Sequence, residues 1–303
     1  MTNIFLGNVH VINLEKSKDR LQNIDANLKK FGIKYQRFNA VEGQKLSLKD
    51  INDNVTTKCR YLSCTKSMIG NAMSHIAIWK EIMVSESSDK WHLILEDDAE
   101  FTDETINFLN KLSNTSIINE NDIIINLACP GIFCRIGPSV IVNTFPDNKK
   151  NDTLLVKPMY PSSTAAYLIT KNTAKKLYDY FIKNKIDGFG DMQIALNFSE
   201  IGINYYATRN KVINLSSDSI NSTTGSGYKP LFLLNKILKY FLGSQVTWLE
   251  YPRFAFNLTV PITGYVFIFL ILLALNLVFF GSILIYIYLL LELTITIILS
   301  LTY

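Results

Sequence analysis

Residues 9–38 read VHVINLEKSKDRLQNIDANLKKFGIKYQRF, and the fold follows from this stretch. Val9 to Leu14 alternates and then runs apolar, as a buried strand does. Ser17 stands where a helix begins. Leu21, Ile24, Leu28 and Phe31 give that helix one apolar face, and Gly32 is placed to end it. Ile33 to Phe38 reads as a second strand. Strand, helix and strand in this order favour a parallel sheet.

Moving outward, residues 44–66 are polar and predict a loop or small excursion, and Met68 to Met83 predicts a helix. Residues 92–95, HLIL, form a short buried strand that ends in Glu96-Asp97-Asp98. Residues 122–127 predict another strand. Gly137, Pro138, Pro146, Asp147 and Asn148 mark residues 136–158 as a long loop. A strand over 164–169, a helix over 171–183, a helix over 192–200 and a late strand over 204–208 complete the soluble part. No internal repeat, G-x-G-x-x-G or phosphate-binding loop occurs.

The 303 residues carry 30 Lys and Arg against 26 Asp and Glu, a net +4. That is too mild for nucleic-acid binding. Aromatics at 12 % argue against disorder, and four Cys argue against a disulfide-built scaffold. The positive mean hydropathy, +0.16, is concentrated at one end. Phe254 to Leu291 holds no charge, Glu292 is the single charge in 260–303, and every Lys and Arg precedes that stretch. A spanning helix needs about 20 apolar residues. Two short spans near 261–280 and 283–301, turning at Gly281-Ser282, fit, as does one bent span with an apolar tail. Residues 229–259 mix Lys229, Lys236, Lys239 and Arg253 with aromatics. This suits an anionic membrane surface, or a helix packed on the domain. The basic flank places the N-terminal side in the cytoplasm, and the first residues do not read as a secretory signal.

Three constellations carry candidate chemistry. Glu96-Asp97-Asp98 sits at the end of a buried strand, where open α/β sheets bind ligands. Adjacent carboxylates repel unless a hard cation such as Mg2+ or Mn2+ lies among them; the alternative is an acidic turn capping the helix after Phe101. His75 and Trp79 share a helical face and suit a pocket wall for a base or sugar, or a hydrogen-bonded structural pair. Asp187-Gly188-Phe189-Gly190-Asp191 offers two carboxylates on a turn. Either can serve as general base, or Asp191 can cap the following helix. Cys59/Cys64 and Cys129/Cys134 are C-x4-C pairs without the clustered turns of structural zinc sites: no Gly turn follows Cys64, and the second pair straddles Pro130-Gly131; free thiols in a reducing cytoplasm are expected.

Taken in order, these pieces resemble glycosyltransferase family 25, the lipooligosaccharide and collagen β-galactosyltransferase group. Val11 through Arg20 is similar to its I-N-L-x-R-S-x-D-R opening, and Phe38 through Gly43 to F-x-A-V-D-G. Gly70 through Trp79 resembles G-C-x-x-S-H-x-x-x-W, Leu93 through Phe101 L-I-L-E-D-D-x-x-F, and Ser163 through Thr170 G-T-x-A-Y-L-I-S. Asp218-Ser219-Ile220 resembles a late S-x-I. Lys16, Asn71 and Ser163 replace the pattern's Arg, Cys and Gly, and Lys185-Ile186-Asp187 replaces P-V-D.

The resemblance implies an α/β fold: a GT-A-like, Rossmann-like nucleotide-sugar-binding domain with a mixed sheet flanked by helices. A C-terminal α-helical membrane segment is added by hydropathy. The catalytic domain is expected over 1–228, the membrane-proximal segment over 229–259 and the hydrophobic hairpin over 260–303. The implied activity is inverting transfer of a hexose, galactose by the family's example, from a UDP-sugar donor to a hydroxyl of a glycan or glycolipid acceptor such as lipooligosaccharide or LPS. Glu96 and Asp98 would hold Mn2+ or Mg2+. Asn13, Arg20, His75, Trp79 and Asp97 would hold the donor, and Asp191 or Asp187 would be the base. The expected setting is the cytoplasmic face of a (bacterial inner) membrane, with lipid as a partner and no nucleic acid. Two rivals stand beside this: a nucleotidyltransferase, which would need a basic Gly-rich triphosphate loop, and a non-catalytic membrane-associated assembly protein on a degenerate transferase domain.

Overall fold

A computed structural model describes residues 3–60, 64–86, 90–128, 139–145, 153–158, 163–209 and 212–216, and beyond them 252–254, 262–263, 283, 286–288, 290–292 and 294. The chain forms two units, residues 1–47 with 66–223, and residues 48–65 with 224–303. In chain order the elements are β1 (Val9–Asn13), α1 (Lys18–Lys30), β2 (Gln36–Asn39), α2 (Leu48–Asn54), α3 (Lys66–Val84), β3 (Trp91–Glu96), β4 (Ala99–Glu100), α4 (Asp103–Leu112) and β5 (Ile123–Asn126). There follow β6 (Ser139–Phe145), β7 (Thr153–Pro158), β8 (Ala166–Thr170), α5 (Lys171–Asn184), α6 (Gly190–Ile201), β9 (Asn204–Thr208), β10 (Asn214–Leu215), β11 (Pro252–Phe254) and β12 (Ile262–Thr263).

The first unit is a mixed α/β fold on an eight-stranded sheet of order β2-β1-β3-β8-β5-β9-β7-β6. The opening β-α-β is parallel as expected: Ile12 lies opposite Phe38 on β2 and Glu96 on β3. Gly32, at φ +67°, ends α1. Its N–H reaches Lys29 O at 3.0 Å and that of Ile33 reaches Leu28 O at 3.0 Å, closing the last turn in the double-bonded way a left-handed glycine permits. Ser17 starts α1 through its carbonyl, which accepts from Leu21 N; its side chain makes no cap.

Antiparallel β8 lies between β3 and β5. The carboxyl ends of β1, β3 and β5 and the start of β8 therefore meet at one edge. The central strands β1, β3, β5 and β8 are buried on both faces. Val9, Val11, Leu93, Leu95, Ile123 and Ile125 join Ile24 and Leu28 of α1 and Phe108, Leu109 and Leu112 of α4 in one core. The alternate residues face the other way, where α3 and α5 pack with Trp79 and Phe181 5.5 Å apart. Apolar burial on both faces stabilises the sheet by about 25 cal/mol per Å².

Three expectations are corrected. Residues 136–158 are not one loop: β6 and β7 form an antiparallel pair, and β7 joins β9 at the sheet edge. Their order comes from pairing across the sheet, which the local turn residues conceal. The 44–66 excursion contains α2, of which Ile51 alone is buried. Cys59 and Cys64 form a disulfide rather than free thiols, with Cα atoms 5.0 Å apart. Cys129 and Cys134 lie outside the described residues, as do Asp218-Ser219-Ile220.

Among the described residues no helix is long and apolar enough to cross a membrane. The expected spans and the 229–259 segment lie almost wholly outside those residues. Glu292 is buried and accepts a hydrogen bond from Tyr288 Oη at 2.8 Å, one helical turn away.

Candidate functional site

The site is built by strand alternation. Along β3, His92, Ile94 and Glu96 face the α3/α5 side, while Leu93, Leu95 and then Asp97 face the α1/α4 side. The three carboxylates are consecutive, yet their surroundings are opposite.

Asp97 turns toward α1. Asn13 Nδ2 donates to its Oδ2 at 2.8 Å and Arg20 Nη1 to its Oδ1 at 2.9 Å. Asn13 is itself fixed, donating to Ser17 O at 3.0 Å and accepting from Arg37 Nε at 3.0 Å. Burial raises the Asp97 pKa, and the bonds from Asn13 and the charge of Arg20 oppose that rise. The sequence-predicted trio Asn13, Arg20 and Asp97 is thus brought together. A cleft of about 270 Å³ opens beside it, lined by Arg20, Asn23, Asn27, Asp97, Asp98 and Ser216. The short β4–β10 pair supplies the far wall, with Ser216 N on Asp98 O at 2.8 Å.

Asp98 lines that cleft, and its Oδ1 is buried without a hydrogen-bond partner among the described residues. Burial, then the neighbouring charge of Glu96, pushes its pKa up to about 7. The acids do not cap α4. Thr102 does, exchanging bonds with Thr105 in a capping box.

Glu96 turns toward α3. Its Oε1 accepts from Thr164 Oγ1 at 2.9 Å, His75 Nε2 at 3.2 Å and Asn71 Nδ2 at 3.4 Å. Burial works to raise its pKa, but His75, Thr164 and Asn71 outweigh burial and hold it below its ordinary value. His75 and Trp79 share a helical face as expected, but the face is turned inward. His75 Nδ1 and Trp79 Nε1 each lie 2.9 Å from Tyr167 Oη. The space left among Asn71, His75, Trp79, Thr164 and Phe181 is about 10 Å³, room for a water at most. That volume admits no base or sugar ring between them.

The motif residues around α3 fix this arrangement. Ser74 Oγ donates to Gly70 O at 2.7 Å and accepts from Val41 N at 2.8 Å, tying the 40–43 turn to the helix. A Cβ on Gly70 would meet Gly43 N and Val41 O at 2.6 Å, and one on Gly43 would meet Lys66 O at 1.8 Å. Only glycine allows that crossing.

Asp191 sits in the first turn of α6, which begins at Gly190, so it does not cap the helix. Its Oδ2 accepts from Ser163 N at 2.6 Å and its Oδ1 from Met192 N at 2.8 Å. Burial raises its pKa against those two bonds, with Glu96 adding to the rise. Asp187 lies in a turn clamped by Gln193, which accepts from Asp187 N at 2.9 Å and donates to Lys185 O at 2.8 Å. Sequence reasoning missed Asn71, Thr164, Tyr167 and Asn126. Asn126, at the end of β5, donates to Ser163 O at 2.7 Å. Strand alternation carried to Glu96 and Asp97 would have separated the two acids.

The family model for glycosyltransferase family 25 (LPS biosynthesis protein) matches residues 7–192, which hold Asn13, Arg20, His75, Trp79, Glu96, Asp97, Asp98, Asp187 and Asp191. The chain belongs to glycosyltransferase family 25. Among curated proteins it is similar to the immunodominant envelope protein p35 of Fowlpox virus (strain NVSL), 29 % identical over 155 residues. That match covers 50 % of this chain and 45 % of the relative, so the chain spans less than half the relative's length. Among solved structures this family 25 chain is similar to a Drosophila beta-1,4-galactosyltransferase 7 variant in complex with manganese, UDP-Gal and xylobiose. The TM-score is 0.36 at 8 % identity, over 72 % of this chain and 74 % of that one. A glycosyltransferase involved in glycosylation of the major capsid of PBCV-1 gives 0.31 at 11 % identity, over 66 % and 80 %. Scores of this size carry no functional information.

Proposed function

We propose that this chain transfers a hexose from a UDP-sugar, galactose in the first instance, to a hydroxyl of a glycan or glycolipid acceptor, inverting the anomeric carbon on a GT-A-like domain. The observation that carries this reading is the Asn13–Asp97–Arg20 lock beside the cleft and Asp98. Asp98 has the properties of a cation ligand: a buried orphan oxygen and two carboxylate neighbours whose repulsion a Mn2+ or Mg2+ ion would relieve. No three His, Cys, Asp or Glu side chains converge among the described residues. Such ions often take only one or two carboxylates, the rest coming from substrate phosphates and water. Asp98 would hold the ion, with Glu96 keeping Oε2 for it. When bound, the ion supplies positive charge to the departing UDP. Asn13, Arg20 and Asp97 hold the nucleotide end. Asp191, with its pKa raised, is the first candidate for accepting the acceptor's proton, and Asp187 the second.

Residues 260–303 would anchor the chain in a membrane, with 229–259 adhering to anionic lipid and the catalytic domain on the cytoplasmic face. One observation opposes that face: disulfides such as Cys59–Cys64 persist in oxidising compartments. Thiol labelling of intact membranes before and after reduction tests it.

A second reading, a membrane-associated assembly protein that keeps a degenerate transferase domain, is favoured by the envelope protein among its relatives and by Asp191, both of whose oxygens are occupied. A panel of UDP-sugars with Mn2+ separates the two. Thermal stabilisation with transfer of the sugar to an acceptor and release of UDP supports the transferase, and absence of transfer, with or without stabilisation, supports the second reading.

A further inference from the structure

Four side chains behind the strand end form one chain of hydrogen bonds: Trp79 Nε1 to Tyr167 Oη, 2.9 Å; Tyr167 Oη to His75 Nδ1, 2.9 Å; His75 Nε2 to Glu96 Oε1, 3.2 Å. Trp79, Tyr167 and His75 are buried. An indole nitrogen only donates, so the Tyr167 oxygen accepts from Trp79. Tyr167 has one proton, and His75 Nδ1 is its remaining neighbour. A proton on His75 Nδ1 would point two N–H groups at the phenol oxygen. The phenol's own proton would then be stranded in the core, at a cost of about 1–3 kcal/mol. In the neutral ring it would also set the Nε2 lone pair against the Glu96 carboxylate. One orientation satisfies every group.

We infer that Tyr167 is a positioning residue: its hydroxyl donates to His75 Nδ1, turns the ring's Nε2–H toward Glu96 and thereby holds Glu96 by one oxygen at the end of β3. Thr164 and Asn71 bind that same oxygen, Oε1. The other, Oε2, keeps a fixed direction. Burial keeps the Tyr167 hydroxyl protonated, raising its pKa well above the ordinary value. The network itself stands on geometry. Its importance for ligand binding rests on the transferase reading.

The test uses the full chain in detergent, labelled with nitrogen-15. The protein has three histidines, so long-range correlation spectra are simple, and loss of one set of signals in His75→Gln identifies that ring. Wild-type protein at neutral pH is expected to show His75 as Nε2–H alone. Tyr167→Phe is expected to lose that preference, and Trp79→Phe, which keeps the Tyr167–His75 bond, to retain it. With UDP and Mn2+ as the probe, Kd should rise about tenfold in Tyr167→Phe and about twofold at most in Trp79→Phe, in the range for residues that orient a site from behind. An Nδ1–H or doubly protonated His75 in the wild type overturns the inference. So does a Tyr167→Phe spectrum identical to wild type, or a changed tautomer with Kd unmoved. Should Tyr167→Phe not fold, the wild-type spectrum still decides the tautomer. If the wild type binds no UDP, the transferase reading fails, and the spectra decide the network independently.

Discussion

On the α1 side of the β3 end, Asp97 and Asp98 border a cleft of about 270 Å³ in which Asp97 is salt-bridged to Arg20 and Asp98 Oδ1 has no hydrogen-bond partner among the described residues. On the α3 side, Glu96 backs onto a packed layer with about 10 Å³ to spare. The two sides are one residue apart in sequence. The pleat of one strand separates an open, cleft-lining surface from a packed scaffold that positions Glu96. Substitutions on the first side should change binding more than folding, and those on the second the reverse.

The largest effect is expected at Asp98. Asp98→Asn should lower UDP-sugar transfer by about a hundredfold or more, since it removes the carboxylate proposed for the ion. The metal-free fold should gain from the same change. Its folded pKa, about 7, lies above the ordinary 3.8. The carboxyl therefore favours the fold when neutral, and that contribution is lost as pH rises from about 4 through 7. At pH 8 the wild type forgoes up to about 4 kcal/mol that Asn does not. Denaturant unfolding in EDTA measures the gain. Mn2+ with UDP should narrow the gap by stabilising wild type alone, and an Asp98→Asn that is both active and no more stable would erase the contrast between the two sides.

Trp79→Ala tests the closed side. Trp79 is 1 % exposed against Phe181 and Tyr167, so truncation should cost about 3–5 kcal/mol in denaturant unfolding. The folded fraction at low temperature should keep its UDP affinity within about threefold, for the same reason that Trp79→Phe does. A stable Trp79→Ala with a large loss of donor affinity would move the residue to the ligand side.

The closed layer also buries His10 against His92, Nε2 to Nδ1 at 3.1 Å. Burial, then the charge of His92, lowers the His10 pKa from 6.5 to about 4. The unfolded chain binds the proton first. Stability is therefore full above pH 6.5 and falls as pH drops toward 4, by about 3 kcal/mol. His10→Gln should flatten that slope, which unfolding at pH 7 and pH 4.5 would show.

Much of this was legible in the chain. Val9 to Asn13, the α1 stripe, Trp91 to Glu96 and Ala166 to Thr170 carry local periodicity strong enough to read, and the acids at the strand end announce themselves. What was not legible depends on partners distant in sequence. β6 exposes Val140 and Ile141 and gains its order from β7. α2 has one buried residue, too few for a periodic signal. Tyr167 reads as one more buried strand residue until the β3–β8 register sets it opposite Ile94. Whether Cys59 and Cys64 meet depends on the backbone between them, which spacing alone does not give.

The smallest effect is expected at Ser163, which ties Asp191 to the end of β5 by donating to Asp191 and accepting from Asn126. Its φ of +79° lies where side chains are strained, and the resembling motif has glycine at this place. Ser163→Gly removes about 1–2 kcal/mol of left-handed strain. It also loses the bond from Ala165 N to Ser163 Oγ, 3.2 Å, worth about 1 kcal/mol, and frees the unfolded chain by about 0.5–1 kcal/mol. These nearly cancel, so stability should move by less than about 1 kcal/mol and UDP-sugar use should be unchanged, because both Asp191 bonds come from backbone. Ser163→Val keeps the strain, adds β-branching and loses the hydroxyl, so it should cost about 2 kcal/mol or more. Parallel unfolding curves of the two variants check this. If Ser163→Gly instead weakened donor use by tenfold, the serine hydroxyl itself would belong to the site, and the open side would extend across β8.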